Sequence, residues 1–208
     1  MIDRLLLPFQ KRLLQWPARA LAGAGISADS LTLAGFVLGL AAVPCLAAGA
    51  YAPALGLILL NRVADGLDGA VARLTAPTDR GAFLDIAFDF FFYSAIPLGF
   101  ALADPAANAL AAAILITAFV GTGSSFLAFA AISAKRRQLP EGYTAKGIYY
   151  LGGLTEGAET IAVFALMCLF PAIFPVLALI FAAACMLTTV IRWHQGWTTF
   201  FNTDAIKN

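Results

Sequence analysis

Apolar segments succeed one another along this chain, each about the 20 residues that a helix needs to cross a bilayer. Six fit, at 31–50, 53–74, 81–104, 107–133, 154–171 and 174–193. Pro and Gly disfavour helix continuation and mark the breaks between them, in Ala48-Gly-Ala-Tyr-Ala-Pro53, Asp104-Pro105 and Phe170-Pro-Ala-Ile-Phe-Pro175. Of the 208 residues, 61% are hydrophobic and 12% charged, and the mean hydropathy is +0.85. A soluble domain carries about 25% charged residues. The expectation is an all-α polytopic membrane protein, a single domain over 1–208. It comprises an interfacial segment at 1–26, a six-helix bundle at 31–193 and a cytoplasmic tail at 194–208.

Residues 2–16 read as an amphipathic helix lying in the membrane interface. Leu5, Leu6, Phe9, Leu13 and Trp16 share an apolar side, and Arg4, Lys11 and Arg12 stay polar. The same basic residues interrupt the apolar run, and no small-residue cleavage site follows, which is not the pattern of a cleaved signal peptide. Ser27, Asp29 and Ser30 supply N-cap chemistry for the first span. With six spans, Lys and Arg other than Arg62 fall on the side that holds both termini, and the loops near residues 50, 105 and 172 contain neither. The positive-inside rule then places both termini and the loops at 74–80 and 134–153 in the cytoplasm. A net charge of +1 without a long basic run gives no sign of a nucleic-acid partner. Cys45, Cys168 and Cys185 are isolated in apolar runs and form no disulfide or metal pattern.

Four carboxylates, Asp65, Asp68, Asp85 and Asp89, stand inside these apolar segments. Each ionised group at membrane depth costs about 2.5–3.5 kcal/mol on insertion scales, so such groups are rare and functional. Asp65 and Asp68 are three apart, Asp85 and Asp89 four apart, so each pair shares a helix face. A short loop joins the two spans, which brings both pairs to one depth near the cytoplasmic surface. Oxygen donors without His or Cys suit Mg²⁺, Mn²⁺ or Ca²⁺. Four Asp can hold two such ions, and ions about 3.5–4 Å apart would clamp a pyrophosphate. Gly66, Gly69, Ala70 and Ala72 leave room for a ligand or a neighbouring helix, and the planar fork of Arg73, one turn beyond Gly69, suits a phosphate. Ion pairs with Arg62, Arg73 and Arg80 are the bland alternative, three bases against four acids.

The pattern Asp65-x-x-Asp68-Gly69-x-x-Ala72-Arg73, seven residues, then Gly81-x-x-x-Asp85-x-x-x-Asp89 resembles the signature of the CDP-alcohol phosphotransferase family. The usual signature has one more residue in the connecting loop. Gly152-Gly-Leu-Thr-Glu-Gly-Ala-Glu-Thr160 further resembles a small bacterial inner-membrane branch. The resemblance implies a six-helix membrane enzyme with its active site facing the cytoplasm. It implies that Asp65, Asp68, Asp85 and Asp89 bind two Mg²⁺ or Mn²⁺ ions, that Asp89 is also the catalytic base, and that Gly69, Arg73 and Thr78 contact the CDP moiety. The reaction would move a substituted phosphate from a CDP-linked lipid donor, CDP-diacylglycerol, to an alcohol, releasing CMP.

Acceptor candidates are Lys135, Arg136 and Lys146, with Arg137 beside them, which any cytoplasmic loop would also carry. Glu156 and Glu159 could bind hydroxyls or simply favour a helix N-terminus. Thr122, Ser124 and Ser125 line a pocket or bond back to their own helix. The rival function is a membrane cation transporter or channel lined by carboxylates, although the acids cluster on one side only. Gly35-x-x-x-Gly39 allows a homodimer, or packing within one chain.

Overall fold

The computed structural model describes residues 2–135 and 155–205, with side chains for 13–135 and 155–201. Among these residues the elements are helical: α1 (Ile2–Gly23), α2 (Ala28–Ala47), α3 (Tyr51–Leu74), α4 (Asp79–Ala103), α5 (Pro105–Lys135), α6 (Gly157–Leu169) and α7 (Phe174–Ala205), with a 3-10 turn at Pro171–Ile173. Four of these helices, α2, α4, α5 and α7, are long and apolar enough to cross a membrane. The 24-residue α3 has the length, but Arg62, Asp65 and Asp68 interrupt its apolar run, and α6 is 13 residues long.

The chain reverses where its local chemistry permits. Gly25 (φ 77°) and Gly49 (φ 72°) take the left-handed backbone between α1 and α2 and between α2 and α3, a conformation that a Cβ disfavours. Ser27 caps α2, its Oγ accepting from the Ser30 N–H at 3.2 Å. Thr78 caps α4, accepting from the Gly81 N–H at 2.9 Å. Each cap satisfies a donor that the first helical turn leaves open. Asp104 does the same for α5 through the Ala107 N–H at 3.1 Å, and Pro105 takes the first helical position, where its missing N–H is not needed.

Helix α2 packs on both α3 and α4, α5 joins α4 to α7, and α6 and α1 contact α3. Helix α1 docks through Ala18, fully buried against Ala70 and Val71, while Leu13 and Trp16 are 65% and 80% exposed. It continues past residue 16 to Gly23, because Ala18, Leu21 and Ala22 add this second contact face. Phe92, Ile96, Phe100, Leu115, Phe164 and Phe174 form the buried centre of the bundle. The Phe100 ring stacks 5.6 Å from Tyr51 and 4.5 Å from Phe174.

Glycine sets the closest approaches. A Cβ at Gly35 would lie 2.8 Å from Ala64 Cβ, and one at Gly39 would lie 2.8 Å from the Phe92 ring and 2.9 Å from Asn61 Nδ2. Both glycines are buried inside this one chain. The Gly35–Gly39 pair is therefore spent on seating α2 against α3 and α4, and the homodimer expected from it has no support here.

The last helix also departs from expectation, running to Ala205 where the sequence reading ends the span at 193. Packing against α5 accounts for the extension. Gly196 closes on Phe129, whose ring lies 5.0 Å from that of Phe200.

Overpacking a tight site costs about 1–3 kcal/mol. Gly39→Ala should therefore lower the thermal midpoint in detergent. Gly56→Ala, whose new Cβ meets nothing within 4 Å, should not. Equal behaviour of the two variants would contradict this packing.

Candidate metal centre

Helix α2 packs on both α3 and α4, and the second half of α3 meets the first half of α4 through side chains that reach across a cleft. This arrangement brings carboxylates from two antiparallel helices together. One oxygen each of Asp65, Asp68 and Asp85 lies within 4.8 Å of the others. Asp68 is buried, and its Oδ2 accepts from the Thr32 hydroxyl of α2 at 2.5 Å. Asp89, one turn beyond Asp85, stands apart from that trio: its Oδ1 accepts from Arg62 Nη2 at 2.6 Å. Arg62 Nη1 also lies 3.5 Å from Asp65 Oδ2. Arg62 thus pairs with one carboxylate from each helix, Asp65 of α3 and Asp89 of α4.

Arg62 is itself fixed. Its Nε donates to Asn61 Oδ1 at 2.9 Å, and Asn61 Nδ2 donates to the Gly35 carbonyl at 2.9 Å. Nη1 donates to the Tyr93 hydroxyl at 3.2 Å. The guanidinium also stands 5.3 Å from the centre of the Phe92 ring. Arg80 turns away from the cluster to Asp29, with Nε 2.7 Å from Oδ2. A Cβ at Gly81 would lie 2.8 Å from Asp29 Oδ1, so glycine there admits this pair, which ties the start of α4 to the start of α2.

The donor set fits a hard cation. Two ligands of one Mg²⁺ at about 2.1 Å can be at most about 4.2 Å apart, so a small side-chain contraction closes the trio. The cleft lined by Thr32, Gly35, Phe36, Asn61, Arg62, Phe88 and the four Asp holds about 10 Å³, roughly one water or one bare ion. A larger ligand would extend from its mouth.

Gly69 and Arg73 continue along α3. Among the described residues, a Cβ at Gly69 would meet only Arg73 Nη1, at 3.4 Å. Thr78 stands at the α4 cap. Neither Lys135, exposed at the end of α5, nor Glu156 and Glu159, half-buried at the start of α6, lines the carboxylate cleft. Arg136, Arg137 and Lys146 lie outside the described residues. Thr122, Ser124 and Ser125 bond back to carbonyls of their own helix at 3.0, 3.3 and 3.0 Å. The two serines also border an open groove of about 590 Å³ between α5 and α7, with Arg192, Trp193 and Trp197.

Sequence reasoning missed the part played by Thr32, Asn61 and Tyr93, and it named Arg62 as an ion-pair partner of the acids without saying which it would take. Arg62 carried a signal, as the base lying well inside an apolar segment.

Residues 26–198 match the profile of the CDP-alcohol phosphatidyltransferase family. Solved structures of Mycobacterium tuberculosis phosphatidylinositol phosphate synthase (PgsA1) share the fold. The form with CDP-DAG bound aligns at TM-score 0.65 and 24% identity, over 90% of this chain and 94% of that one. The form in complex with manganese and citrate aligns at TM-score 0.67 and 24% identity, over 89% of each. The inner membrane protein YnjF of Escherichia coli (strain K12) is 55% identical over 199 residues, 96% of this chain and 97% of that protein. Family membership does not favour the transporter alternative. By the extent of the profile match and by its identity to a relative of nearly equal length, this chain belongs to the CDP-alcohol phosphatidyltransferase family, and it is a membrane transferase of phospholipid synthesis.

Proposed function

We propose that this protein transfers the phosphatidyl group of CDP-diacylglycerol to an alcohol and releases CMP. The observation that carries the reading is the trio of carboxylate oxygens from α3 and α4 within 4.8 Å of one another, with Asp89 one turn away. Asp65, Asp68, Asp85 and Asp89 would hold two Mg²⁺ or Mn²⁺ ions. Bound there, the ions would neutralise charge on the diphosphate and on the departing CMP.

The chain's own residues supply the rest. Asp89 takes the proton of the acceptor hydroxyl as general base. The resulting alkoxide oxygen bonds to the lipid-side phosphorus, and the bond from that phosphorus to the bridging diphosphate oxygen breaks, so CMP leaves with the electron pair. Gly69 gives the diphosphate room to approach α3, and Arg73 beside it offers a planar pair of donors. Thr78 would meet the nucleotide from the α3–α4 turn. Lys135, Arg136, Lys146, Glu156 and Glu159 are the acceptor-side proposal.

In the membrane, α3 and α6 complete six spans with α2, α4, α5 and α7. Helix α1 lies in the interface, where its exposed Leu13 and Trp16 meet lipid while Ala18 holds it to the bundle. The absence of Lys and Arg from the loops near 50, 105 and 172 supports cytoplasmic termini and a cytoplasmic active site. The relative's location supports the bacterial inner membrane.

Purified protein with Mg²⁺, CDP-diacylglycerol and a panel of alcohols should release CMP together with one lipid product. Removing divalent ions with chelator should silence it, and either Mg²⁺ or Mn²⁺ should restore it; transfer that persists without metal would overturn the reading. Asp89→Asn should lower CMP release by about 10²–10⁴-fold, the usual contribution of general base catalysis, without loss of expression. Release at the parent rate would remove Asp89 from the base role.

A further inference from the structure

Helix α2 packs on both α3 and α4, but those two helices face each other across the carboxylate cleft. Arg62 of α3 spans that gap. Its Nη2 donates to Asp89 Oδ1 at 2.6 Å and its Nη1 to the Tyr93 hydroxyl at 3.2 Å, both on α4. The Phe92 and Tyr93 ring centres stand 5.3 and 5.6 Å from the guanidinium carbon. On its own helix, Nη1 lies 3.5 Å from Asp65 Oδ2 and Nε donates to Asn61 Oδ1 at 2.9 Å. Asn61 in turn donates to the Gly35 carbonyl of α2. One planar group thus bridges α3 and α4, and Asn61 ties it to α2. A carboxylate has two oxygens, so one that accepts from a guanidinium can ligate a cation as well, and such outer partners orient metal ligands.

We propose that Arg62 is a positioning residue for the metal ligands, a crossbeam that sets the separation of Asp65 and Asp89 before a cation arrives and keeps both bonds afterwards. The acids of α3 and α4 are then already spaced for the ion, and less ordering is lost on binding. The guanidinium also repels an incoming cation, so its charge and its geometry act in opposite directions. Lysine separates the two. It keeps the positive charge but lacks the planar fork that serves Asp89, Tyr93 and Asn61 together, and the other partners of the carboxylates stay in place. This inference rests on the metal-binding reading above.

Calorimetric titration of Mn²⁺ into the purified protein in detergent tests it, without reference to turnover. Arg62→Lys should bind Mn²⁺ about 10–100-fold more weakly than the parent, the usual effect of losing a partner that orients metal ligands. If Arg62 acts through its charge alone, the affinity should not change. Tyr93→Phe keeps the guanidinium and the ring packing and loses one anchor on α4. It should weaken Mn²⁺ binding in the same direction by less, and it serves if Arg62→Lys does not fold. The thermal midpoint is recorded beside the affinity, because a residue that only stabilises the bundle would lower the midpoint and leave the affinity of the folded protein as it was.

Unchanged or tighter Mn²⁺ binding in Arg62→Lys, or in Tyr93→Phe where the lysine variant does not fold, overturns the crossbeam and leaves the metal-binding reading standing. A parent that binds no Mn²⁺, or binds it equally well after Asp68→Asn, overturns the metal-binding reading and the crossbeam with it.

Discussion

Closely set negative charge is what the middle of this molecule is organised around. Asp65, Asp68, Asp85 and Asp89 meet at the junction of α3 and α4, with Arg62 as the guanidinium among them. At the edge of a low-dielectric bundle, carboxylates this close repel one another strongly. They are tolerable where a cation joins them. The helices around the cluster pack so as to hold these side chains together.

Helix α2 is the frame. Gly35 and Gly39 let it approach Ala64, Asn61 and Phe92 closely. From that position Thr32 reaches Asp68 and the Gly35 carbonyl orients Asn61, which in turn orients Arg62. At the start of α2, Asp29 binds Arg80 and so places the first turn of α4, from which Asp85 and Asp89 project. Small residues on the same helix thus serve packing and chemistry together. The aromatic centre built on Phe92, Phe100, Phe164 and Phe174 lies behind this junction and keeps the helices in register.

Much of this was legible in the chain. The apolar segments and their Pro and Gly breaks foretold most helix boundaries, because length and punctuation are local properties. The carboxylate spacings foretold which acids would meet, since helical period and a short connection leave few alternatives. The misses have a common physical origin in contacts between distant residues. The helical continuation to Ala205 depends on Phe129 meeting Phe200, which no local pattern announces. The choice of Asp89 by Arg62, and of Asp29 by Arg80, joins residues 27 and 51 positions apart. Gly35 and Gly39 were ambiguous in sequence because close packing within a chain and between chains asks for the same small residues. Thr78 has a structural duty at the α4 cap, which a spacing argument cannot separate from a ligand contact.

The central claim is that cations gathered by Asp65, Asp68 and Asp85 grip the diphosphate of a nucleotide-activated lipid. Anomalous diffraction from crystals grown with Mn²⁺ and CDP-diacylglycerol tests it most directly. The account predicts manganese peaks between these three side chains and Asp89, with the diphosphate oxygens completing their coordination. A nucleotide bound with no peak at the carboxylates, or with its diphosphate held elsewhere in the bundle, would contradict it.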